Sequence, residues 1–135
     1  MAVTREIEAG QIFDLSTEVV GLERGTGRAC FVEQVRNRPP RRIDGYTVGA
    51  PIITGDAPHN GELHPDADEL LYLISGRVKV HLELADGERI IDVEGGQGIV
   101  VPRGVWHRIE MQEPGQLIHI TPGPGGDHRP LTSPG

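Results

Sequence analysis

Between Pro58 and Glu69 the sequence "PHNGELHPDADE" gathers His59, Glu62, His64, Asp66, Asp68 and Glu69, a dense set of nitrogen and oxygen donors. Glu62 and His64 stand two residues apart, so on an extended strand both side chains leave the same face, and a carboxylate and an imidazole can reach one point. Glu69 follows after His64-Pro65, where the chain can turn and re-enter a sheet. His107 comes later, in "GGQGIVVPRGVWHRIEM", after a glycine turn, an apolar strand and a Pro-x-Gly turn. As the opening of a new strand it returns beside the first pair if the sheet closes on itself. Two nitrogens and two oxygens without sulfur suit a borderline divalent ion such as Fe(II), Mn(II), Ni(II) or Zn(II). Protein ligands that leave open positions on the ion for substrate, water or dioxygen mark a catalytic rather than a structural metal. Asp66 and Asp68 read as solvated turn residues.

Other chemistries have little support. Cys30 is the only cysteine, which excludes an internal disulfide framework and a thiolate-rich zinc site. No serine, lysine or cysteine nucleophile arrangement is present, and "GGQG" at 95–98 reads as a hairpin turn rather than a phosphate-cradling loop. With 13 basic and 20 acidic residues the formal charge is −7, so nucleic acid and anionic membrane surfaces are disfavoured as partners. No apolar segment is long enough to span a bilayer, and "MAVTREIEAGQIF" lacks the basic start and apolar block of a secretory signal, so a cytoplasmic location is expected.

The elements that must position these residues are short strands. From Tyr46 onward, "YTVGAPIIT", "ELLYLIS", "RVKVHLEL", "ERIIDV", "GIVVP", "HRIEM" and "QLIHIT" are apolar runs separated by turn residues such as Ser75-Gly76, Asp86-Gly87 and Gly95-Gly96. That spacing predicts an antiparallel sandwich or barrel. "ELADGERI" predicts a hairpin with Asp86-Gly87 at its tip. The alternation in "RVKVHLEL" points Val78, Val80, Leu82 and Leu84 inward and Lys79, His81 and Glu83 to solvent. Residues 1–45 predict N-terminal edge strands at "IFDL" (12–15) and "ACFVEQV" (29–35) and an arm, "RNRPPRRIDG", whose prolines keep it out of a central strand and whose arginines read as solvated. Residues 46–122 form the predicted barrel. Residues 123–135, rich in proline and glycine, predict a flexible tail or an arm that orders only against a partner.

Against this pattern the chain resembles the cupin superfamily of small double-stranded β-helix, or jelly-roll, barrels. The first cupin motif is usually written as Gly, five residues, His-x-His, three or four residues, Glu, six residues, Gly. His64, Glu69 and Gly76 fall at its second histidine, its glutamate and its closing glycine. The second motif is Gly, five residues, Pro-x-Gly, two residues, His, three residues, Asn; Gly96, Pro102, Gly104 and His107 fall in register with it. Three positions depart: Asp56 replaces the leading glycine, Met111 the terminal asparagine, and Glu62 the first histidine. Only Glu62 alters the ligand set, adding a negative charge at the ion, which favours a harder metal and lowers the acidity of bound water. His59, in the preceding turn, is the alternative ligand that could supply the missing nitrogen.

The resemblance implies an all-β barrel and a metal site at Glu62, His64, Glu69 and His107. Glu69 could instead pair with Arg77 or Arg103 as a surface acid, and His64 could merely cap its turn. Tyr72, Arg103, Trp106 and His119 are further pocket candidates; core packing competes for the aromatics and solvation for the arginine. The expected activity is that of a metal-dependent enzyme on a small oxygenated substrate, of dioxygenase, isomerase, lyase, decarboxylase or cyclase type. Glu62 would be a catalytic base if it left the metal. The alternative is a non-catalytic ligand- or metal-binding module. Exposed edge strands make a homodimer the expected assembly.

Overall fold

The computed structural model describes residues 2–36, 38–57 and 59–130. These hold eleven strands: β1 (Thr4–Glu6), β2 (Val20–Glu23), β3 (Ala29–Val32), β4 (Gly45–Gly49), β5 (Ile52–Ile53), β6 (Glu62–Leu63), β7 (Glu69–Leu84), β8 (Gly87–Glu94), β9 (Gly98–Val101), β10 (Trp106–Gly123) and β11 (Asp127–His128). No helix among the described residues is long and apolar enough to cross a membrane. The strand pairs are antiparallel, as the turn spacing predicts, and the fold is the all-β jelly roll that the resemblance implies.

Two long strands organise the sheet. β10 pairs with β4, β5, β6 and β7, while β7 pairs with β8, β9 and β10. Ser75-Gly76 and the segment between "HRIEM" and "QLIHIT" read as turns in the sequence, yet both strands run straight through them. Gly76 takes φ +89°, which bends β7 without ending it, and the β7–β10 register shifts between Met111 and Leu117. A Cβ on Gly76 would meet the Pro114 carbonyl oxygen at 2.7 Å, and one on Gly115 would run into the Ser75 carbonyl. Glycine on both strands therefore lets the pair fold over as one unit.

The β7–β8 hairpin forms as predicted, but Leu84 pairs with Gly87, so the loop is Ala85-Asp86 and Gly87 opens the next strand. Val78, Val80 and Leu82 join Leu71, Leu73, Val93, Val101 and Leu117 in the core, as alternation requires. His81 departs from its predicted solvent exposure. It lies on the opposite face but is only 7% exposed, because Glu88 and Glu110 fold over it with carboxylate oxygens 3.0 and 3.1 Å from its two ring nitrogens. Period-two patterning reports the face of a strand and not the reach of long neighbours across it.

Outside the central barrel the agreement is mixed. β3 lies in the predicted segment 29–35, and the order β1-β3-β2-β4 carries these strands to β10. "IFDL" forms no strand; Phe13 instead packs edge-on against Phe31, with centroids 5.3 Å apart. The proline- and glycine-rich segment, which composition assigned to no strand, is paired against the chain itself. β10 runs to Gly123, and β11 pairs with β6 through Asp127–Leu63 and His128–Glu62. Asn60 N–H to Arg129 O and Arg129 N–H to Gly61 O, each 2.8 Å, extend that pairing, so this segment closes the free edge of a strand only two residues long. Residues 131–135 of the predicted tail lie outside the described residues.

Candidate metal centre

Three strand ends bring the donors together. In the β6–β10 pairing Glu62 lies directly opposite His107. His64 sits just beyond β6, where its carbonyl accepts the Gly104 N–H at 2.8 Å and ties the Pro-Arg-Gly turn to it. Glu69 opens β7 after the His64-Pro65 turn. One ligating atom each from Glu62, His64 and His107 lies within 4.8 Å of the others. Glu69 spans both histidines: Oε1 is 2.9 Å from His107 Nε2 and Oε2 is 3.4 Å from His64 Nε2, while Glu62 Oε2 lies 3.6 Å from His64 Nε2. His64, Glu69 and His107 are all buried, and Glu62 is half-buried.

The polar bookkeeping of this cluster does not close among the described residues. Both ring nitrogens of His64 are buried and find no hydrogen-bond partner among the described residues, because its approach to Glu69 lacks hydrogen-bond alignment. Burial alone would raise the Glu69 carboxyl, but the His107 contact and the nearness of His64 outweigh it and hold Glu69 far below the usual carboxylate range. Burial would lower His107, and its pairing with Glu69 raises it instead. His107 Nδ1–H donates to the Val105 carbonyl at 3.2 Å, an arrangement that leaves Nε2 as the nitrogen facing the cluster.

A second layer fixes Glu69. Thr121, fully buried, donates its hydroxyl to Glu69 Oε2 at 2.6 Å and accepts from His119 Nδ1–H at 2.9 Å. Its single proton goes to the carboxylate, so His119 must carry hydrogen on Nδ1 and keep a lone pair on Nε2. Burial, reinforced by the charge of Arg42, lowers the His119 pKa to about 4, so the ring is neutral. A Cβ on Gly49 would lie 2.5 Å from His119 Nε2; glycine makes room for the imidazole.

The predicted site residues divide into two groups. Glu62, Glu69, His107, His59 and His119 line one cavity of about 340 Å³, whose apolar wall includes Leu71, Ile109 and Leu117. His59 Nδ1 accepts the Gly61 N–H at 3.0 Å and its Nε2 lies 3.6 Å from Glu62 Oε1, so in the neutral ring the nitrogen facing Glu62 carries the proton. Burial lowers the His59 pKa, which keeps that ring neutral. Trp106 lies outside this cavity with the Arg129 guanidinium 4.0 Å above its ring. Tyr72 and Arg103 are exposed and line neither this cavity nor its mouth.

Arg42 and Thr121 are the residues the sequence concealed. Arg42, assigned to a solvated arm, is half-buried and lines the same cavity as Glu62 and Glu69. Its pKa is lowered by burial against the pull of Glu62 and Glu69. Arg42 and Glu62 also line an outer cavity of about 510 Å³ with Arg38, Arg41 and Asp127.

The sequence profile of the Cupin domain family matches residues 53–121, just over half of the chain. The chain belongs to the cupin family. Among solved structures this cupin is similar to Bacillus subtilis oxalate decarboxylase, in a structure concerned with that enzyme's Mn(II) centres, at TM-score 0.51 and 19% identity. Two further oxalate decarboxylase structures, one concerned with proton-coupled electron transfer and one with substrate binding, match at 0.51 and 0.50, both at 19% identity. Each alignment covers 62% of this chain and 23% of the other, so the cupin spans about a quarter of the decarboxylase, and the likeness is one of fold. No curated protein sequence matches significantly.

In this cupin the carboxylate at position 62 sits in register with His107 across the sheet, so the departure from the family motif falls inside the donor cluster. The cluster offers nitrogen and oxygen ligands for a divalent ion beneath a partly apolar cavity.

Proposed function

We propose that this cupin is a metal-dependent enzyme that acts on a small oxygenated compound bound against a divalent ion held by Glu62, His64, Glu69 and His107. The observation that carries it is His64: its buried Nε2 makes no aligned hydrogen bond, yet it lies 3.6 and 3.4 Å from the carboxylate oxygens of Glu62 and Glu69, a nitrogen and two oxygens facing one point that a cation would fill. A bound Fe(II), Mn(II), Ni(II) or Zn(II) would supply Lewis acidity, and iron or manganese redox chemistry as well. The carboxylate at 62 favours the harder members, in keeping with the Mn(II) centres of the structurally similar decarboxylase. His107 presents Nε2 because Val105 holds Nδ1, and Thr121 holds Glu69 in place. Glu62, on the cavity wall with His59 beside its other oxygen, is placed to take a substrate proton. The apolar wall excludes water around that exchange.

Metal analysis of protein expressed in supplemented medium tests this. About one equivalent per chain is expected, lost in His64→Ala and His107→Ala while both variants remain folded. Full metal content in either variant would sink the assignment. Turnover across a panel of β-diketones, hydroxy acids, phenols and acyl sugars then separates an enzyme from a binding module.

We also propose a homodimer. Leu70, Tyr72 and Val100 are 41%, 40% and 52% exposed on the outer face, and pairing places them beside Ile118 and Ile120 of β10. A contiguous apolar sheet face of this kind calls for cover.

A further inference from the structure

We propose that Arg42 is the anchor for a substrate carboxylate, and that the compound taken by this site is a short 2-oxo or 2-hydroxy acid with an apolar tail. The inference rests on the metal-site reading above and adds the substrate class to it.

The first support is the state of the guanidinium. Arg42 is half-buried, yet among the described residues its one hydrogen bond is from Nη1–H to Thr47 Oγ1 at 3.3 Å, and no carboxylate lies within ion-pair distance. A guanidinium carries five donors, and withdrawing it from water with most of them unused is costly unless a ligand completes it. Its burial is not enclosure, because Arg42 lines both the inner cavity and the outer one.

Charge distribution is the second support. The chain carries −7 overall, yet Arg38, Arg41 and Arg42 outnumber Glu62 and Asp127 at the outer cavity, and Arg38, Arg42 and Arg108 line the inner one. The carboxylates on the inner wall are Glu62 and Glu69, both committed to the histidine cluster. A divalent ion would offset their charges, leaving the arginines to set the sign of the cavity. An electropositive pocket in an acidic protein draws in anions.

Shape supplies the rest. A planar guanidinium fork matches a carboxylate in two-point contact. An oxygen on the adjacent carbon can then face Glu62 and His107, which line the inner cavity with Arg42. The neutral His119 adds no competing charge, and Leu71, Ile109 and Leu117 suit a short aliphatic chain.

The test is calorimetric titration of manganese-loaded protein with 4-methyl-2-oxopentanoate and with its uncharged counterpart 5-methylhexane-2,3-dione, on wild type, Arg42→Gln and Arg42→Lys, each checked for metal content and melting temperature. Wild type should bind the acid at least about 10-fold tighter than the dione. Arg42→Gln should weaken the acid by about 30-fold or more and leave the dione and the metal unchanged, with Arg42→Lys between. Should Arg42→Gln fail to fold, salt decides on wild type alone: acid affinity should fall with ionic strength while dione affinity holds. Equal binding of acid and dione, or an acid affinity indifferent to Arg42 or to salt, overturns this proposal while metal content and dione binding keep the metal site standing. Absence of bound metal from wild type overturns both.

Discussion

The two unpartnered nitrogens of His64 make a prediction about stability that separates a metal site from a structural histidine. Each buried polar atom left without a hydrogen bond costs about 1–3 kcal/mol, and His64 has two that make none among the described residues, Nε2 only approaching Glu62 and Glu69. His64→Leu fills similar space with apolar atoms and removes that cost. It also removes a favourable charge interaction with Glu69, but Glu69 keeps the Thr121 hydroxyl and His107. The balance is a gain of about 1–2 kcal/mol for the metal-free protein, a rise of roughly 3–8 °C in Tm at this chain length. With metal present at about 100 times its dissociation constant the wild type gains about 2.7 kcal/mol and the variant gains nothing. The order of stability should therefore invert between chelator and saturating Mn(II) or Ni(II), as read by urea unfolding through Trp106 fluorescence. A variant less stable than wild type in chelator by more than about 1 kcal/mol, or one that keeps a metal-induced shift, would refute the argument.

Three further outcomes are expected. His119 has a folded pKa lowered from 6.5 to about 4, so the unfolded chain takes its proton first as pH falls; the stabilisation is whole above about pH 6.5 and is lost toward pH 4. Between pH 8 and pH 5 metal-free wild type should accordingly lose about 2 kcal/mol more than His119→Gln, and parallel pH profiles would show that the ring is not held neutral. Gly49→Ala should drive the His119 ring from its place, since the new Cβ lies 2.5 Å from Nε2, at a cost of about 1–3 kcal/mol; an unchanged melting temperature would count against the close packing. Tyr72→Glu should turn a wild-type dimer into a monomer in sedimentation, and a monomeric wild type would dispose of the outer-face interface.

Much of the centre was legible because strand geometry converts spacing into direction. The two-residue step from Glu62 to His64, the turn to Glu69 and the turn into His107 each place a donor without knowledge of distant neighbours: Glu62, His64 and His107 gather, and Glu69 contacts both histidines. Legibility ended where direction depends on another part of the chain. "RNRPPRRIDG" reads as solvated on composition, and only the folded course of the arm brings Arg38 and Arg42 to the cavity wall, with Arg42 the more buried of the two. Thr121 gave no signal, since a threonine on a strand is ordinary until Glu69 arrives from β7 to take its proton. Gly76 was ambiguous for a different reason, because the same residue serves a turn and a bend, and the contact with Pro114 and Gly115 decides for the bend. Asp127 and His128 could not be foreseen as a strand, because what orders them is the open edge of β6.

Glu62 and Arg42 are best understood together. A carboxylate where the cupin motif has an imidazole adds negative charge beside the ion and weakens the pull of the site on an anion. Arg42, as proposed, would restore that pull, since it lines both the inner and the outer cavity with Glu62. The arrangement moves part of the anion's attraction off the metal and onto a guanidinium. With the substrate carboxylate so anchored, Glu62 would be free to act as a base rather than only as a ligand. An imidazole at 62 would leave the metal more positive and would not offer a carboxylate base at that point. On the proposed reading the departure from the motif and the arginine hidden in the arm would serve one end: an anionic substrate held at a metal that does not have to do all of the holding.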